Sequence, residues 1–95
     1  MKKILITYDL NRERQANKWE TVNKAIAEQF PSTHWRRLTT TWIVETDWSA
    51  AQVRNWLLPL FDSNDELLVA VLTGEAAWHG IDERGSTWLR DVLPR

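Results

Sequence analysis

ILITYDLN, residues 4–11, is the stretch whose reading decides the fold. Three apolar β-formers lead through Thr7 and Tyr8 to a carboxylate, Asp9. Aspartate is a poor strand residue, so Asp9 marks the end of a first strand, Lys3–Tyr8. Two readings of Asp9 stay open. It is a turn-former or helix cap that stops the strand, or it is a group the strand presents for chemistry.

Outward from this strand the period changes. Trp19, Val22, Asn23, Ile26 and Phe30 follow helical spacing. Pro31 and Ser32 stop that helix. His34–Leu38 and Thr41–Thr46 read as a hairpin around Thr39 and Thr40. Ser49 and Gln52 have capping-box spacing, and Ala50, Val53, Leu57 and Leu60 form a second helical stripe. Residues 62–65, Asp-Ser-Asn-Asp, are turn-formers, and Leu67–Leu72 is an apolar strand. Ser86–Leu93 has the spacing of a short last helix, with Trp88, Leu89 and Val92 on one side.

The order predicts an α+β, ferredoxin-like βαββαβ domain over residues 1–74. Its expected sheet is four-stranded and antiparallel, in the order 4-1-3-2, with both helices on one face because each crossover is right-handed. Residues 75–95 are expected as a C-terminal extension packing on the domain or on a dimer partner. A sheet with one wet face alternates polar and apolar residues. Ile4-Leu5-Ile6, Trp42-Ile43-Val44 and the run 67–72 do not alternate. With two helices on one face, the simplest cover for the other is a second copy of the chain, so a homodimer is expected.

Composition narrows the chemistry. The 95 residues make one domain. There is no cysteine, so disulfides, thiolate zinc sites and cysteine nucleophiles are excluded. No segment approaches the apolar length of a membrane span, and the opening apolar run is too short for a signal peptide. A cytoplasmic protein with no membrane partner is expected. Net charge is −1, which gives no global attraction for nucleic acid. Residues 1–40 nevertheless hold eight basic against four acidic residues, and residues 41–95 four against nine. That asymmetry permits a local basic surface, built from Arg12, Arg14, Arg36 and Arg37, with Trp35 able to stack on bases. A solvated strand face or a dimer salt bridge explains the same arginines. Seven tryptophans are many for a domain of this size. Trp is favoured at interfaces, so some are expected to face a partner.

Tyr8-Asp9-Leu10 at a strand end, followed by a helix, a hairpin and a further strand, resembles the family of CRISPR-associated protein two, and also the virulence-associated D toxins. The set YDLN, TTW, SNDxLLV and TGE is more similar still to short bacterial proteins of that kind. The resemblance implies a ferredoxin-like homodimer. It implies either a metal-dependent nuclease on DNA or RNA, or a non-catalytic scaffold for protein or nucleic-acid partners. It carries over one residue, Asp9, as a catalytic ligand to Mg²⁺ or Mn²⁺ shared across the dimer axis. The expected topology brings Asp65, and with it Glu66, towards Asp9 as a second metal ligand. The family's second-strand Ser-x-Phe element is absent from WRRLTTTWIV, residues 35–44. His34 and His79 have no partner at metal-binding spacing.

Overall fold

The computed structural model describes residues 1–10, 17–31, 34–38, 40–73 and 75–93, with backbone alone at 17, 34, 35, 37 and 38. Strand β1 is Lys2–Asp9, helix α1 Asn17–Gln29, β2 His34–Leu38, β3 Thr41–Thr46, helix α2 Ala50–Leu57, β4 Glu66–Leu72 and helix α3 Glu83–Val92. A single 3₁₀ turn, Leu58–Leu60, follows α2. Pro59 ends α2 there, because proline has no N–H to continue the ladder.

β1 runs between β3 and β4 and is antiparallel to both. Its side chains alternate. Ile4, Ile6 and Tyr8 are buried beneath α1 and α2, while Leu5 and Thr7 point to the opposite face and are half-buried. A slip of one residue would exchange the two faces. The main core joins Ile4, Ile6 and Tyr8 to Trp42 and Val44 of β3, Val22, Ile26 and Phe30 of the α1 stripe, and Val53 and Leu57 of α2. The α1 stripe starts one turn later than its spacing suggests, since Trp19 is 43% exposed. α2 begins with the expected capping box. The Ser49 hydroxyl accepts from the Gln52 amide at 3.1 Å, and the Gln52 side chain accepts from the Ser49 amide at 2.8 Å.

The expected architecture is corrected in two respects. Unbroken ladder pairing joins three antiparallel strands, β3-β1-β4, rather than a regular four-stranded sheet. β2 lies outside β3, in the order β2-β3-β1-β4. It meets β3 only at His34↔Val44, Trp35↔Ile43 and Leu38↔Thr41, with a register shift between Trp35 and Leu38. A shift of this kind breaks the regular alternation and twists the edge away.

The second correction concerns the C-terminal extension: the described residues hold three helices, and the last, expected only as a short helix in the tail, is part of the domain's own packing. Leu89 and Leu93, flanked by Trp88 and Ile81, pack on Ile43, Leu5 and Leu72 across the second face of the sheet. The chain's own α3 thus covers much of that face, although Leu68, on the same face, stays 57% exposed. Asp82 caps α3, its carboxylate accepting from the Gly85 amide at 2.8 Å. Trp78 anchors the approach by donating its indole N–H to Ser86 Oγ at 3.0 Å. The chain turns into this helix through Gly80 at φ +80°, a left-handed conformation open to glycine without steric cost.

Candidate functional site

Three strands converge at the end of the sheet that carries Asp9. The Tyr8 amide donates to the Thr40 carbonyl at 3.1 Å, and the Thr7 and Thr41 hydroxyls lie 3.0 Å apart. On the other side Asp9 pairs in register with Glu66. Both carboxylates are exposed. They stand on the rim of an open depression of about 360 Å³, lined by Thr7, Tyr8, Asp9, Glu66, Leu67 and Leu68. Like charges directly opposite on paired strands repel. The pair favours a bound cation, but it offers two carboxylates and nothing more. Among the described residues no cluster of three or more His, Cys, Asp or Glu side chains is placed to hold a metal ion.

Asp65, expected as the second ligand, is turned elsewhere. Its side chain is fully buried and forms an ion pair with Lys18 Nζ from the first turn of α1. It also accepts the Asp62 amide at 2.8 Å, while the Asp65 amide donates to the Asp62 carbonyl at 3.1 Å. Lys18 completes the group with Asp62 at 3.0 Å. The turn 62–65 is therefore a closed structure that pins α1 to the entry of β4. The residue that β4 does bring beside Asp9 is Glu66, one position on.

The nearest core is polar at one point. The Tyr8 hydroxyl donates to Asn23 Oδ1, which also accepts the Trp42 indole N–H at 3.2 Å. The Arg36 guanidinium lies over the Trp42 ring, 5.5 Å from its centroid. Arg36 thus stacks on an aromatic of its own chain. The arginines at 12 and 14, and the side chains of Arg37 and Trp35, lie outside the described residues, as does Thr39. His79 is exposed.

No family model, curated protein or solved structure matches the chain. No helix among the described residues is long and apolar enough to cross a membrane.

Two of these groups give the fold a pH dependence. Burial raises the Tyr8 phenol above its usual value, with the Trp42 hydrogen bond and the Arg36 charge pulling it back. For Lys18, burial pulls the ammonium down, but hydrogen bonds and charge from Asp65 and Asp62 outweigh it and the net shift is upward. Each group holds its proton more tightly folded than unfolded. Their stabilisation is complete below about pH 10 and is lost as pH climbs through the raised folded values. Urea midpoints measured between pH 8 and pH 11, roughly the range spanning these groups, are expected to stay level and then fall. In Tyr8→Phe the alkaline fall is expected to be shallower, because one of the two groups is gone.

Sequence reasoning missed two features. The Tyr8–Asn23–Trp42 network was signalled by Asn23, an amide inside an apolar stripe. The aromatic group Phe30, Trp48 and Trp56 was signalled only by Trp48 standing just before the α2 capping box. Its rings are 5.7 to 5.8 Å apart, all edge-to-face.

Proposed function

We propose that the protein is a non-catalytic scaffold that works as a homodimer and binds a protein or nucleic-acid partner. The free edge of β4 carries this reading. Among the described residues β4 ends the sheet, and residues 67–72 hold no charge, no proline and no glycine. Leu68 is 57% and Val71 44% exposed, on opposite faces of the strand. Proteins that remain single copies usually blunt such an edge with charge, proline or a bulge. A second β4, antiparallel across a two-fold axis, satisfies the open row of amides and carbonyls. Pairing centred on Val69 sets Leu68 against Ala70 and Leu67 against Val71, small against large on both faces.

The carboxylates support the absence of catalysis. Asp65 is committed to Lys18 and to its own turn, which leaves Asp9 with Glu66. A metal-assisted hydrolase needs ligands that fix the ion and leave a position open for water, and two exposed carboxylates hold an ion loosely. A second reading rests on the Asp9–Glu66 juxtaposition: a dimer sharing Mn²⁺ or Mg²⁺ and cleaving nucleic acid. The two separate in one experiment. Mn²⁺ is titrated into wild type and Asp9→Asn, and both are assayed on single- and double-stranded DNA and RNA. The scaffold predicts weak binding and no cleavage by either protein. Cleavage by wild type that vanishes in Asp9→Asn would establish the second reading instead.

A further inference from the structure

A second depression, of about 300 Å³, lies beside α2 and is lined by Trp48, Gln52, Asn55 and Trp56. The two indoles cross at 78° with centroids 5.8 Å apart. Both pack edge-to-face on Phe30, which is itself buried, so the notch between them is held in place. Gln52, Asn55 and Trp56 share one side of α2 by their three- and four-residue spacing, next to the side that buries Val53 and Leu57.

The hydrogen-bonding capacity of this notch leans towards donation. Gln52 Oε1 is taken by the Ser49 amide at 2.8 Å. Asn55 Oδ1 is taken by the Arg54 guanidinium, from Nε at 3.1 Å and Nη2 at 3.0 Å. Both partners are donors only, which fixes the orientation of both side-chain amides. Among the described residues no hydrogen bond takes up their NH₂ donors or the indole N–H of Trp48 or Trp56. A complementary ligand brings acceptors, few donors and a flat apolar ring.

We infer that this notch binds a proline-rich segment of a partner protein. A polyproline stretch has no backbone N–H, exposes every carbonyl, and is ordered before it binds. Proline rings dock in aromatic-lined grooves, with flanking donors taking the carbonyls. Nucleobases and sugars carry donors as well, which the Asn55 oxygen, already accepting two bonds, answers poorly. The inference names a partner class beyond the scaffold reading and does not rest on dimerisation, because every residue of the notch comes from one chain.

The test uses fluorescence anisotropy with a labelled oligoproline peptide, against the same peptide with alanine replacing proline and against a neutral oligosaccharide as competitor. Gln52→Glu keeps the capping box, since glutamate accepts from the Ser49 amide equally well, but loses the donor. Asn55→Asp likewise keeps the Arg54 contact and loses the donor. Wild type is expected to bind oligoproline saturably, and each variant about tenfold more weakly, the effect of one hydrogen bond. Melting temperatures are expected to match wild type. No binding by wild type, binding by both variants as tight as wild type's, equal binding of the alanine peptide, or displacement by the oligosaccharide would each overturn the inference.

Discussion

Replacing Trp42 with alanine is expected to destabilise the fold by about 4 kcal/mol, in the range for emptying a large aromatic site in a core. Trp42 is 3% exposed and packs in the main core with Ile6, Tyr8 and Val44. Its indole donates to Asn23 Oδ1, and its ring carries the Arg36 guanidinium. Alanine removes the ring, the donor and the platform together. Trp42→Phe keeps most of the volume and loses the indole N–H. Because Asn23 retains the Tyr8 hydroxyl as a partner, phenylalanine is expected to cost about 1–2 kcal/mol. Chemical denaturation of the two variants separates packing from hydrogen bonding. Equal losses in both would assign the whole effect to the network.

Lys18→Met is expected to cost about 3 kcal/mol. Methionine keeps the apolar stem and deletes the ammonium that pairs with the fully buried Asp65 carboxylate. Breaking one side of a buried ion pair costs more than the pair contributes, because the remaining charge stays desolvated. The loss sits at the low end of the usual range for two reasons. Asp65 keeps the Asp62 amide, and Asp62 itself is 46% exposed, so its part of the network is solvent-screened. Lys18→Met combined with Asp65→Leu is expected to recover much of the loss, since no buried charge then remains. Persistent destabilisation of the double variant would mean that the geometry of the 62–65 turn, and not its charge balance, holds α1 to β4.

The α+β class and the position of β1 were legible because Ile4, Ile6 and Tyr8 bury one face, and because apolar spacing marks α1 and α2. The destination of α3 was not. Trp88, Leu89 and Val92 announce an amphipathic helix, but the spacing of a helix does not say which surface it seeks. The lack of alternation in β3 and β4 showed that a cover existed without showing that residues 83–93 supply it. The irregular β2 was also hidden, since the sequence HWRRL carries no turn or glycine that signals a register shift. At the candidate site the difficulty was a single residue. Asp65 and Glu66 are adjacent acids, and which of them meets Asp9 depends on where the 62–65 turn closes, which Lys18 settles from a distant part of the chain.

Dimerisation through β4 is the claim on which the scaffold reading stands, and molar mass measures it directly. Light scattering across a concentration series is to be run on wild type and on Leu68→Lys, which places a charge on the exposed edge without touching the buried core. Wild type is expected at twice the chain mass of 11.2 kDa, falling to one copy on dilution, and Leu68→Lys at one copy throughout with an unchanged circular dichroism spectrum. A wild type that stays at one copy at the highest concentration, or a Leu68→Lys variant that dimerises as wild type does, would contradict it.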